Sequence, residues 1–167
     1  MHKKSGILVL ALVIAGLLAA SLLAAAPRSD KERFTARLSG KKVVPPVKTA
    51  ATGEAAFRLS KDGATLFYIL RVSNIENPTA AHIHLAPAGK NGPPVVVLYP
   101  APGAAKLPQV GKFTGVVAKG PIFARDLVGP LAKKPLKDLM AEIRAGRTYV
   151  NVHTKRYPDG EIRGQIR

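Results

Sequence analysis

The chain has 167 residues, of which 47% are hydrophobic and only 5% aromatic, and it contains no cysteine. Its net charge of +16 at pH 7 favours anionic partners, such as an acidic polymer of the cell envelope. The alternative is that the lysines and arginines, which are spread along the chain, occupy outward strand positions that only keep the protein soluble. Nucleic acid is not expected to be a partner, because aromatic residues are scarce, basic residues are spread along the chain and no helix-turn-helix motif occurs.

The N-terminal segment has the three parts of a secretory signal. Lys3 and Lys4 form a short positive head, residues 7–26 carry no charge, and residues 24–26 are the small alanines that a signal peptidase needs. The absence of cysteine excludes a lipid-modified N-terminus and also a disulfide framework in the exported part.

Two outcomes of export remain open for this segment. Pro27 disfavours cleavage directly before it, and an apolar run of about 20 residues is also long enough to anchor a chain in a bilayer. Residues 1–26 are therefore predicted to be a signal helix that is either cleaved or kept as an anchor through residues 7–26. Residues 27–33 are predicted to be a polar linker. Both outcomes place residues 34–167 outside the cytoplasm, either secreted or in the periplasm or cell envelope.

Short amphipathic strands are predicted along the remainder of the chain, because apolar and polar residues alternate with a period of two between turn residues. The predicted strands cover residues 34–38, 54–59, 65–72, 80–85, 95–99, 113–118, 148–154 and 161–167. Asp62 and Gly63 predict a hairpin turn between the second and third of these strands. The stretch 43–47 holds two prolines, which lack the N–H that a central strand needs, and is predicted to run along a sheet edge.

One short helix is predicted between Pro135 and Gly146, which suit the first helical position and the position just past the end. Its apolar residues fall at helical spacing and should face the core: Leu136, Leu139, Met140 and Ile143. Many short strands and one helix predict an all-β fold, an antiparallel Greek-key sandwich or barrel, which we expect to be a monomer.

Outside the N-terminal segment, every histidine lies in two of the predicted strands. His82 and His84 are two residues apart in one strand, and His153 lies in another. Alternation puts all three imidazoles on the outward faces of these strands, because the small and branched residues between them face the core. Three neutral imidazoles suit copper or zinc, so the three residues are candidate metal ligands. The alternative is that each histidine only hydrogen-bonds a loop carbonyl.

Polar residues beside these histidines are candidates to surround such a site. Asn151 shares the outward face of its strand with His153, and Glu161 and Arg163 share the outward face of the last strand. The expected role of Glu161 and Arg163 is otherwise a surface ion pair. No nucleophile elbow and no glycine-rich loop before a helix occurs, which disfavours hydrolases and kinases.

Seven segments together resemble successive landmarks of the CHRD (chordin) domain family. They are FTARLSG at 34–40, VPPV at 44–47, AATG at 50–53, AHIH at 81–84, NGPPV at 91–95, AGRTYVNVHT at 145–154 and YPDGEIRGQI at 157–166. The resemblance covers residues 34–167 and implies an exported module without an established activity. It does not imply the growth-factor binding of chordin, since this chain carries one such domain.

A fainter resemblance concerns the histidines. The segments around His82, His84 and His153, followed by the last strand, are similar to the copper-ligand strands of copper/zinc superoxide dismutases, which are Greek-key β-barrels. No histidine lies between His84 and His153, and Arg163 is near but not at the spacing of that family's active-site arginine. The resemblance therefore implies a copper-only site and not a complete dismutase site.

Two hypotheses of function follow. The first is an extracytoplasmic binding or structural module, without catalysis, that binds a protein or an anionic envelope polymer. The alternative is a copper-binding metalloprotein with a three-histidine site which, if it is an enzyme, is a copper-dependent oxidoreductase. A membrane would be contacted only through an uncleaved N-terminal segment.

Overall fold

A computed structural model describes residues 32–100 and 110–167 of the chain. The predicted signal or anchor at residues 1–26 lies outside the described residues, as does most of the predicted linker. Within the described part, no helix is long and apolar enough to cross a membrane.

Within residues 32–100 and 110–167, the fold consists of eight antiparallel strands and one helix. The strands are β1 Arg33–Ser39, β2 Thr52–Leu59, β3 Leu66–Glu76, β4 Pro78–Leu85, β5 Pro94–Tyr99, β6 Lys112–Ile122, β7 Thr148–Thr154 and β8 Ile162–Gln165. The helix is α1 Leu136–Arg144, and short 3-10 turns occur at Gly40–Lys42, Ala124–Asp126 and Gly129–Leu131.

The strands form one sheet in the order β5-β4-β7-β8-β1-β2-β3-β6. This sheet curls into a nearly closed barrel, in which the hydroxyl of Tyr68 on β3 donates to the carbonyl of Leu98 on β5 at 2.7 Å. A single residue, Asn77, separates β3 from β4, although these strands lie near opposite ends of the strand order. The predicted all-β, antiparallel fold class is confirmed.

The barrel interior is filled by the residues that the alternation assigns to it. Along β3, Leu66, Leu70 and Val72 are all buried, and β2 contributes Ala55 and Phe57 to the same core. The predicted apolar face of α1 is buried on the same core, through Leu136, Leu139, Met140 and Ile143. Gly146 follows the helix with φ +66, a conformation that glycine adopts without steric cost.

The predicted edge strand at residues 43–47 is wrong. The chain bends there, because the N–H groups of Val43 and Val47 both donate to the carbonyl of Gly40, at 3.2 and 3.0 Å. The segment therefore folds back on its own 3-10 turn and does not pair with a neighbouring strand. The prolines were compatible with an edge strand, but the local hydrogen bonds satisfy the backbone without one.

Candidate metal centre

The pairing of β4 with β7 brings the three histidines together. In the antiparallel register His82 lies opposite Asn151, His84 opposite Tyr149, and Ala80 opposite His153. Residues directly opposite one another share a face of the sheet, so all three imidazoles emerge on the same side. As predicted, the three histidine side chains project outward from the strands.

The three rings form a compact cluster. Each offers one ring nitrogen, and these nitrogens all lie within 4.8 Å of one another. The Nδ1 of His82 and the Nε2 of His153 lie 3.2 Å apart, within hydrogen-bond distance. The ring centroid of His82 lies 5.5 Å from that of His84 and 5.1 Å from that of His153.

Two backbone carbonyls orient the rings of His84 and His153. The Nδ1 of His84 lies 2.9 Å from the carbonyl oxygen of Gly92, and Nδ1 of His153 lies 2.7 Å from that of Pro158. A carbonyl only accepts, so each Nδ1 carries the proton and each neutral ring keeps a lone pair on Nε2. Among residues 32–100 and 110–167, the buried Nε2 of His84 has no hydrogen-bond partner.

The environment keeps two of these rings uncharged. Burial, reinforced by the neighbouring His153 and His84, lowers the pKa of His82 from 6.5 to about 4. Burial is also the main cause that lowers the pKa of His84, with His153 and Arg163 adding to it. Neutral imidazole is the form that binds a metal ion, so both rings are ready for that role at neutral pH.

This titration predicts how the stability of the metal-free protein depends on pH. Between pH 6.5 and about 4 the unfolded chain takes up a proton at His82 that the folded chain does not. The free energy of unfolding should therefore fall as the pH drops through this window. Because His82 is partly exposed and solvent screens the effect, we expect its share to be about 1–2 kcal/mol.

The measurement is denaturant unfolding of the metal-free protein and of His82→Asn at pH 7, 5.5 and 4.5. The variant should lose less stability than the wild type across this range, since the carboxylates titrate alike in both proteins. Parallel losses in the two proteins would show that His82 is not the titrating group.

The predicted surface ion pair between Glu161 and Arg163 is wrong. Both side chains are buried, with 6% and 2% of their surface exposed. Glu161 accepts a hydrogen bond from the hydroxyl of Thr49 at 2.6 Å, whereas Arg163 donates to Asn91 and to the carbonyl of Lys90. Covering loops bury this face of β8, and alternation along one strand cannot reveal loops that arrive from elsewhere in the chain.

Arg163 reaches the cluster through an intervening ring. Its guanidinium carbon lies 3.5 Å from the ring centroid of Tyr149, and Tyr149 stacks on His84 with centroids 4.9 Å apart and ring planes 10° from parallel. Asn151 supports the turn beside His153. Its amide donates to the carbonyl of Asp159, the residue after Pro158, whose carbonyl orients His153. Both residues therefore brace the histidine rings.

Sequence reasoning did not select Tyr149, Gly92 or Pro158. Tyr149 carried a usable signal, because it shares the outward period of its strand with Asn151 and His153. Gly92 and Pro158 contribute only backbone carbonyls, for which the sequence offers no signal beyond the presence of a turn.

A nearly closed antiparallel barrel with three clustered histidines on one face defines an all-β protein with a candidate metal centre. The chain matches the family model of the CHRD domain over residues 34–166. It belongs to the CHRD domain family, which confirms the first resemblance seen in the sequence. CHRD domains are extracellular-type domains, and membership suggests a binding or structural module. Comparison with curated proteins and with solved structures found no match.

Proposed function

We propose that this chain is an exported CHRD-domain module that binds one copper ion through His82, His84 and His153. The observation that carries the proposal is the arrangement of ring nitrogens. Two of the rings direct Nδ1 to a backbone carbonyl, and the buried Nε2 of His84 has no hydrogen-bond partner among the described residues. Metal-bound histidines in proteins typically donate their other ring N–H to such a carbonyl.

The donor set fits copper. The 3.2 Å between His82 Nδ1 and His153 Nε2 is a separation that two nitrogens can keep when each lies about 2 Å from one ion. Imidazole suits both copper and zinc, and Cu(II) has the highest affinity of the divalent first-row ions for a given site. An exported protein also meets copper away from the thiols of the cytosol, which is why copper is preferred here.

Binding is the proposed role, and catalysis is not required for it. When bound, copper would supply one-electron chemistry, and an enzyme of this kind would be a copper-dependent oxidoreductase. The chain's own residues hold the ligands in place: Gly92 and Pro158 fix the protonated nitrogens, and Tyr149 with Arg163 fixes the ring of His84.

The test is metal loading of the purified protein. After incubation with Cu(II) and removal of excess ion, we expect one copper per chain and nitrogen hyperfine coupling in the paramagnetic resonance spectrum. Loading with Zn(II) under the same conditions should be weaker, so that Cu(II) displaces zinc from the site. Substoichiometric copper without nitrogen coupling would refute the copper site and leave the binding-module role without a metal.

A second candidate partner is an anionic polymer of the cell envelope, favoured by the net charge of +16. We expect the protein to be retained on heparin at 50 mM salt and released well before 500 mM, as the Debye length shrinks from roughly 14 Å to roughly 4 Å. Loading with copper should change this retention little. Retention that is indifferent to salt over this range would mean that the basic surface does not determine binding.

A further inference from the structure

A cleft that is separate from the histidine cluster lies beside β1 and β8. Its volume is about 610 Å³, and residues 41–44, 46 and 88–89 belong to its lining. Within the described part of the chain, no aspartate or glutamate lines it. Five lining residues are cationic: Arg37, Lys41, Lys42, Arg163 and Arg167. A concave surface that gathers charge of one sign attracts small ions of the other sign.

The buried member of this set lacks a counter-charge. Arg163 is only 2% exposed, and both of its hydrogen bonds go to neutral oxygens, those of the Asn91 side chain and the Lys90 carbonyl. A guanidinium has five N–H donors, and within residues 32–100 and 110–167 no carboxylate accepts from those of Arg163. Burial lowers the pKa of Arg163, and the face of Tyr149 partly offsets this effect. Buried charges in proteins are normally paired, which makes this cation a binding group for an anion.

Part of the cleft lining is apolar and not cationic. Val43, Val44 and Pro46 supply an apolar wall on the side of the segment that bends away from the sheet. A cationic floor beside an apolar wall suits a ligand that has both an oxyanion and a hydrocarbon part.

We propose that this cleft binds a small organic anion, with its oxyanion near Arg163, Lys41 and Lys42 and its apolar body against Val43, Val44 and Pro46. The carboxylate of an organic acid and the phosphate of a monoester share this chemistry. The cleft is distinct from the copper site, since no histidine of the cluster lines it. The two sites share only the contact of Arg163 with Tyr149, so binding to the cleft is tested on the metal-free protein.

The test measures binding of four probes to the metal-free protein by calorimetry at 150 mM salt: hexanoate, hexyl phosphate, acetate and inorganic phosphate. We expect each six-carbon anion to bind at least tenfold more tightly than its matching small ion. The preferred head group then identifies whether the natural ligand is a carboxylate or a phosphate.

Two variants at exposed positions locate the site without disturbing the core. The pair Lys41→Gln with Lys42→Gln should weaken binding at least tenfold, and Ala88→Glu should abolish it by placing a carboxylate at the rim. The matched control is Lys119→Gln with Lys137→Gln, which removes the same charge from exposed positions outside the cleft. That control should bind the six-carbon anions like the wild type.

Arg163→Lys tests the buried group itself, with the melting temperature as a check of folding. It should reduce affinity and retain some binding, because it keeps the charge and loses the fork of donors. Equal weakening by the cleft pair and the control pair would overturn the proposal in favour of general charge attraction. Equal affinity for hexanoate and acetate, or no binding of any probe, would overturn it as well.

Discussion

Replacing His84 by asparagine is expected to lower the affinity for Cu(II) at least 100-fold while the barrel stays folded. The asparagine amide can take over the hydrogen bond that Nδ1 donates to the Gly92 carbonyl, at 2.9 Å in the wild type. Asparagine has no atom that replaces Nε2, the buried nitrogen without a hydrogen-bond partner in the described part of the chain. The substitution therefore removes a ligand atom and keeps the contact that supports the loop.

The same loss of copper affinity is expected for His82→Ala and His153→Ala, because the cluster offers three ligand atoms and each variant removes one of them. The matched control is Tyr68→Phe, which removes only the hydroxyl that donates to the carbonyl of Leu98 and keeps the contacts of the three histidine rings. This control should bind copper within a few-fold of the wild type.

Two readouts separate binding from folding. Copper stoichiometry with the paramagnetic resonance spectrum reports the site, and the melting temperature without metal reports the fold. Excess copper should also stabilise the wild type, by about 4 kcal/mol at a free concentration 1,000 times the Kd. At the same concentration it should stabilise the ligand variants by about 1.4 kcal/mol or less, since their Kd is at least 100-fold higher. Equal copper uptake by the wild type and all three ligand variants would refute the site and leave the histidines as braces for the loops.

Much of the barrel was predictable because the sequence patterns that define its strands and helix are local. The alternation along β2 and β3 and the helical spacing in α1 each describe a face that one element presents to the core. The outward placement of His82, His84 and His153 followed from the same alternation. That β4 and β7 are neighbours is a long-range feature of the fold, which no local pattern in the sequence reveals.

The incorrect predictions share one physical cause. Arg163 and Glu161 were expected at the surface because their strand face is polar, but loops carrying Thr49 and residues 90–91 contact them, and both are buried. The segment 43–47 likewise takes its shape from the Gly40 carbonyl and not from its own pattern. Periodicity identifies which face a residue occupies, whereas the groups that cover that face come from distant parts of the chain.

Gly92 connects such a loop to the metal site, and its replacement by alanine should damage both stability and copper binding. A Cβ at this position would lie 2.8 Å from the carbonyl carbon of Leu85 and closer still to its oxygen. These are backbone atoms at the end of β4, one residue beyond His84, so they cannot move aside as a flexible side chain would. The loop must move instead, and its movement displaces the carbonyl that orients His84.

We expect Gly92→Ala to lower the free energy of unfolding by about 1–3 kcal/mol, the usual cost of forcing an added methyl group into a filled space. Copper affinity should fall by about 10- to 100-fold, the effect typical of losing the hydrogen-bond partner of a metal ligand. The N–H of Gly92 also contacts the Tyr149 hydroxyl at 3.2 Å, so the same movement loosens the ring that stacks on His84.

Gly89→Ala is the matched control in the same loop. Gly89 has φ +76, and an added Cβ there would meet no atom within 4 Å. Its cost is only that of a left-handed backbone at a residue with a side chain, about 1–2 kcal/mol. Copper affinity should then remain at the wild-type value, because the carbonyl of Gly92 keeps its position. Denaturant unfolding and copper titration of both variants measure the two effects separately. If Gly92→Ala bound copper as tightly as Gly89→Ala, the orientation of His84 by this carbonyl would be unimportant for the site.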